Sequence, residues 1–158
     1  MYRRILLADD GSELARAAIP HAVAMATAAS AGVLVLRISH AAGPEPETLG
    51  PESWDERVRL TAPTVPPSDE DRLEAYPPLS EAETALREAG VRAVGTLVVR
   101  GEPGPAIVSV ASRLECDLIV MSTHGLSGLK RAVLGSVADY VVHNAPDIAV
   151  LLCANENR

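Results

Sequence analysis

Five short runs along this chain are near-continuously apolar: Arg4–Ala8 (RILLA), Val33–Ile38 (VLVLRI), Thr96–Val99 (TLVV), Asp117–Met121 (DLIVM) and Ile148–Leu152 (IAVLL). Runs that do not alternate apolar with polar residues suit strands buried on both faces, the pattern of a parallel sheet. The segments between them keep helical spacing instead. Ala15, Ala18, Ile19, Ala22 and Ala26 mark a helix over Leu14–Ala29, and Ser12 is placed to cap it. Pro20 lies about two turns in, so a kink or an offset start is expected there. A second helix is expected over Leu79–Ala89, capped by Ser80 and ended by Gly90. After the Gly101-Glu102-Pro103 turn, a third covers Pro105–Leu114, with Ile107, Val110, Ala111 and Leu114 on one stripe. A fourth runs from Ser136 to Asn144 and stops before Pro146, with Val137, Val141 and Ala145 inward. Strand–helix alternation of this kind predicts an α/β fold: a single, doubly wound, five-stranded parallel sheet of order 3-2-1-4-5 with helices on both faces. Ligands of such sheets bind beyond the carboxyl ends of the strands, where the strand order reverses. The turns after the first and fourth strands, Ala8–Ser12 and Ser122–Ser136, belong at that edge.

Residues 41–78 break the pattern. They hold eight of the twelve prolines, scattered acids and the lone Trp54. This segment is expected to be a proline-rich surface excursion from a single domain spanning residues 1–158. With no Phe and only 3% aromatic residues, the core must be built from Ala, Val, Leu and Ile. The formal charge of −7 argues against a nucleic-acid partner or an anionic membrane surface. The chain has no run of 18 apolar residues and no signal-like start, so a cytoplasmic location is expected. Cys116 and Cys153 sit in apolar runs and read as small buried hydrophobes.

The chemistry concentrates in Cys116–Val137, CDLIVMSTHGLSGLKRAVLGSV. A strand, a glycine-punctuated loop and a helix start follow one another there. Glycines let backbone N–H groups approach a ligand, and a helix start offers unpaired amides and a positive dipole end to an anion. Gly125 and, after nine intervening residues, Gly135-Ser136 can bracket one phosphate chain, with Ser136 donating its hydroxyl and N–H and Val137 its N–H.

This loop resembles the nucleotide loop of the universal stress protein family, Gly-x-x-Gly-x9-Gly-Ser/Thr. Gly125, Gly135 and Ser136 match its last three fixed places, and Ser122 stands at the first. The likeness extends to the opening strand with Asp10, the Gly-Glu-Pro turn and the closing Asn-Ala-Pro segment. It implies an adenine nucleotide, ATP, with Mg2+ as an optional companion. Ala8, Asp9 and Asp10 would line the adenosine, and Ile38 would lie beside the base. Met121 and Ser122 would end the fourth strand under the nucleotide, His124 and Gly125 would form the inner turn, and Gly135, Ser136, Val137 and Ala138 would hold phosphates. The Ser122 side chain takes space that a glycine leaves open, so binding is expected to be weakened rather than abolished. The resemblance also implies a homodimer through the edge strand 148–152.

Other chemistries fit less well. Asp9-Asp10 after a first strand can hold Mg2+ in a phosphoacceptor domain, but that requires an Asp ending the third strand and a Lys ending the fifth, and neither is present. Asp10 is therefore taken as an acceptor for the adenosine end and Asp9 as a solvated turn residue. His124 has no carboxylate or nucleophile near it in sequence, and Lys130-Arg131 suit phosphates or solvent equally. No catalytic residue is assigned; any ATP hydrolysis is expected to be slow. The expected function is an ATP-binding stress-response protein that signals a state, and the alternative is a dimeric interaction module of the same fold without a ligand.

Overall fold

A computed structural model describes residues 1–39, 48–49, 77–123 and 134–154. In chain order the elements are β1 (Arg4–Ala8), α1 (Glu13–Arg16), α2 (Ala18–Ala29), β2 (Gly32–Ser39), β3 (Thr48–Leu49) and α3 (Pro77–Glu88). They are followed by β4 (Val94–Arg100), α4 (Pro103–Arg113), β5 (Leu118–Ser122), α5 (Ser136–Asn144) and β6 (Ala149–Cys153). The sheet runs β3-β4-β2-β1-β5-β6. Its five long strands, β4-β2-β1-β5-β6, are all parallel, which is the expected 3-2-1-4-5 order. Beyond expectation, Thr48 and Leu49 add a two-residue antiparallel edge against Leu97 and Thr96, so part of the 41–78 segment joins the sheet. The rest of that segment, to residue 76, lies outside the described residues.

Because successive strand residues face opposite sides, each strand feeds two cores. Ile5, Leu7, Val33, Val35, Leu118 and Val120 lie on one face under Ala18, Ala22 and Ala26 of α2 and Ala82 and Leu86 of α3. Leu6, Leu34, Leu36, Ile119 and Met121 lie on the other under Ile107 and Ala111 of α4 and Ala138 and Val141 of α5. Each large aliphatic side chain buried in this way contributes roughly 1.5–3 kcal/mol, and the alanines of α2 let that helix lie close to the sheet.

The helix ends follow from local chemistry. Ser12 Oγ accepts the Ala15 N–H at 3.0 Å, as a cap should. Pro20 acts through an offset start: it cannot donate to the Arg16 carbonyl, so α1 stops there and α2 begins at Ala18 with Pro20 in its first turn. Helix α3 starts at Pro77, two residues before the expected Leu79, so Ser80 lies inside the first turn and is not its cap. Proline is well suited to a first turn, where its missing N–H would have no intrahelical partner. Three helices stop the same way. The N–H groups of Ala31, Val91 and Cys116 reach back to the carbonyls of Ala26, Leu86 and Ala111. This closure needs a left-handed residue just before each. Gly90 supplies it at φ 82° without strain, whereas Ser30 (φ 54°) and Glu115 (φ 52°) adopt it despite their Cβ atoms.

Two contacts fix the ends of the sheet and the position of α5. The Asp117 carboxylate accepts the N–H groups of Arg3 at 2.8 Å and Arg4 at 3.1 Å, clipping the start of β1 to the start of β5. Gly104 of α4 packs directly on Tyr140 of α5: a Cβ there would stand 2.8 Å from Tyr140 Cδ1 and 3.0 Å from its Cβ. Among the described residues no helix is long and apolar enough to cross a membrane.

Candidate functional site

Strand order reverses at β1, which has β2 on one side and β5 on the other. Ala8 pairs with Leu36, and Leu7 with Val120, so the chain leaves β1, β2 and β5 along one carboxyl edge. That edge gathers Ala8, Asp9 and Asp10 from β1, Ile38 from β2, and Met121 and Ser122 from β5. Helix α5 is drawn to the same place, because the Gly135 N–H donates to the Thr123 carbonyl at 2.9 Å. The Thr123 N–H in turn donates to the Cys153 carbonyl at 3.0 Å, tying the end of β5 to the end of β6. Of the residues expected at the site, His124 and Gly125 lie outside the described residues, as do Lys130 and Arg131.

The start of α5 has the features an anion needs. Gly135 is its N-cap, in extended backbone (φ −60°, ψ 148°), and provides no side chain to cap the helix. The first intrahelical bond runs from the Asp139 N–H to the Gly135 carbonyl at 2.8 Å. The N–H groups of Ser136, Val137 and Ala138 thus point out of the helix end with no intrahelical acceptor. Beside them lies an apolar floor: Ala8, Ile38, Met121, Val137 and Ala138 all belong to the hydrophobic cluster on the α4/α5 face of the sheet. Ala8, Ile38 and Val137 are half-buried, so they form the surface of that cluster at the edge. Ser122 is also half-buried there, paired with Cys153 in the β5–β6 register.

One of the two aspartates departs from the place expected of it. Asp9 is not a solvated turn residue; it is 3% exposed, and every polar group it has is engaged. Its N–H donates to the Leu36 carbonyl at 2.9 Å, and Oδ1 accepts the Gly11 N–H at 2.9 Å. Arg37 Nε donates to the Asp9 carbonyl at 3.3 Å, and Arg37 Nη2 lies 3.2 Å from Asp9 Oδ2. Burial pushes the Asp9 carboxyl above the usual carboxylate range, against the opposing pull of the Gly11 amide and the Arg37 guanidinium. Asp10 is the exposed member, and its Oδ1 accepts the Ser12 N–H at 2.9 Å.

Arg37 is the residue that sequence reasoning missed. Its signal is a lone charge inside an otherwise apolar strand run, VLVLRI, where a buried cation needs a partner. That partner lies 28 residues away in sequence. Cys116 and Cys153 are buried free thiols, at opposite ends of the adjacent strands β5 and β6. Burial pushes the Cys116 thiol up to about 12 and raises that of Cys153 as well.

Comparison with known proteins places this edge in a family context. A universal stress protein of Thermus aquaticus, encoded in the 3′ region of a QAH/OAS sulfhydrylase, is 36% identical over 146 residues, covering 92% of this chain and 95% of that protein. The fold matches the crystal structure of a universal stress protein in complex with cAMP (TM-score 0.67, 22% identity, 97% of each chain covered). It also matches a universal stress protein of Archaeoglobus fulgidus in complex with dAMP (TM-score 0.63, 22% identity, 96% of this chain and 98% of that one). The family model of the universal stress proteins matches residues 1–152, the whole sheet but for the final residue of β6. With that match and the Thermus relative together, the chain belongs to the universal stress protein family.

Proposed function

We propose that this protein binds an adenine nucleotide, ATP, at the carboxyl edge of its sheet and serves as a stress-response signal rather than as a metabolic enzyme. The observation that carries this reading is the start of α5. Three outward amides, on Ser136, Val137 and Ala138, follow an N-cap without a side chain and are held against the end of β5 by the Gly135–Thr123 hydrogen bond. Such an end offers phosphate oxygens several N–H donors and a favourable dipole at once. The apolar floor of Ala8, Ile38 and Met121 suits a base and sugar, and the exposed carboxylate of Asp10 suits a donor on the adenosine. The family's structures with cAMP and dAMP support the adenine part of the reading. The triphosphate rests on the loop resemblance, in which Gly125, Gly135 and Ser136 keep the family pattern. A cytoplasmic location and pairing of two copies through residues 148–152 belong to the same proposal, and β6 is an outer strand of the sheet, bonded on one side to β5.

A second reading has one observation in its favour. Ser122, at the first glycine place, puts a Cβ and a hydroxyl at the edge, as would suit an interaction module without a ligand. Gly135→Val separates the two. The extended backbone at Gly135 is accessible to valine, so the fold should survive while the branched side chain crowds the phosphates. Calorimetric titration with ATP should show binding to the wild type and none to the variant. Equal affinity in both would remove the α5 site, and no adenine nucleotide bound by the wild type would favour the second reading.

A further inference from the structure

Asp9 and Arg37 are the only buried charged side chains among the described residues, 3% and 9% exposed. Burying an ion pair is a poor way to stabilise a sheet, because desolvation of both charges offsets their attraction. The place of the pair is more telling. Strand alternation puts Arg37 on the α2/α3 face with Val33 and Val35, while its neighbour Ile38 faces the other side with Leu34 and Leu36. Asp9 likewise follows Ala8, which sits on the α4/α5 face. Each member of the pair is thus one residue from a residue on the apolar floor of the site, and it grips from the opposite side of the sheet.

The grip is made of a definite set of bonds. One guanidinium holds both the carbonyl and the carboxylate of Asp9, through Nε at 3.3 Å and Nη2 at 3.2 Å. The other carboxylate oxygen holds the Gly11 N–H, and Gly11 stands at φ 78°, the conformation that turns the chain out of β1. Between these two anchored residues lies Asp10, whose side chain is exposed and accepts the N–H of Ser12, two residues on. The rigid planar fork of an arginine suits this double contact, which a lysine would meet with a single point charge.

We infer that Arg37 is a positioning residue: through Asp9 it locks the turn from Ala8 to Ser12 onto the end of β2, and so holds Asp10 and Ile38 in the relative placement that nucleotide binding requires. This inference rests on the nucleotide-binding reading of the same edge. It makes the strength of binding depend on a pair buried on the face of the sheet opposite the apolar floor.

The test uses the full chain and ATP. Arg37→Met alone leaves a buried carboxylate unpaired and can fail to fold, so the informative variant is Asp9→Asn combined with Arg37→Met, which removes both charges together. That double variant should melt close to the wild type. Its ATP dissociation constant should nonetheless rise about tenfold or more, a change of roughly one decade in the binding constant. The amides of Gly11 and Ser12 should exchange with solvent faster than in the wild type. Arg37→Lys, with one of the two contacts kept, should fall between. A double variant that folds and binds ATP as the wild type does would overturn the inference. If the wild type binds no adenine nucleotide, the proposed function fails by itself. The lock is then judged on exchange alone, and equal Gly11 and Ser12 exchange in wild type and double variant would overturn it.

Discussion

Adding one methyl group at Gly104 tests how α5 is held in place. An alanine Cβ there would lie 2.8 Å from Cδ1, 2.9 Å from Cγ and 3.0 Å from Cβ of Tyr140. These are root atoms of the ring rather than its free tip, so the ring cannot simply swing clear and the two helices must part by some tenths of an ångström. Overpacking of this kind costs about 1–3 kcal/mol. Gly104 lies in the first turn of α4, so alanine also brings a helix-propensity gain of up to about 1 kcal/mol. Gly104→Ala alone should thus lose roughly 0–3 kcal/mol, a drop of about 0–12 °C in Tm for a domain of this size. Tyr140, 39% exposed, can be truncated with modest loss of burial. In a Tyr140→Gly background, which removes the Cβ as well as the ring, all three contacts are gone, and Gly104→Ala should become neutral or stabilising. The four melts form a double-mutant cycle whose coupling should be about 1–3 kcal/mol. A coupling near zero would refute the packing argument. Because α5 also carries Ser136, Val137 and Ala138, Gly104→Ala should weaken ATP binding as well, with affinity restored when Tyr140 is truncated.

The remaining predictions concern the site, the edge and the thiols. Ser122→Gly should shift ATP affinity, tighter if the side chain only obstructs and weaker by about 0.5–1.5 kcal/mol if its hydroxyl donates a bond; titration that finds no change would remove this position from the site. Val150→Glu should turn a dimer into monomers or insoluble protein, because a charge would then lie on the outer strand β6. A wild type that sediments as a monomer at high concentration would end that reading. With the Cys116 thiol pushed up to about 12 from an ordinary 9.0, the folded state holds the thiol proton more tightly than the unfolded chain does. The associated stability is present below pH 9, is lost progressively as pH rises toward 12, and should be measurable as an alkaline fall in Tm that Cys116→Ala makes shallower.

Local signals carried most of the fold. The run Arg4–Ala8 and the helix Ser136–Asn144 keep their expected bounds, because an apolar run ending in a turn and a glycine-to-proline interval are both written in neighbouring residues. Pro20 marked the break between α1 and α2 for the same reason. What escaped was set by distance or by brevity. The two residues of β3 are too few to show any period, and Pro77 resembles a helix breaker unless its place in the first turn is known. The burial of Asp9 has its cause in Arg37, a residue outside any window that a local reading spans. The residues gathered at the carboxyl edge were legible because strand ends follow from the alternation. The apolar floor they share was not, since it depends on which face each residue takes.

The clip between Asp117 and the amides of Arg3 and Arg4 has a consequence for how the chain is made. Among the described strands β1 leaves the ribosome before the others, yet it ends in the middle of the sheet, with β5 and the clip more than a hundred residues behind it. At about 5–20 residues per second, synthesis leaves roughly 6–22 seconds between them. During that interval β2 can cover one side of β1, while its other side is an open edge made of Ile5, Leu6 and Leu7. The nascent chain therefore passes through a stage whose exposed edge is the most deeply buried part of the finished protein. Its safe passage depends on how soon Asp117 and the strand beside it emerge.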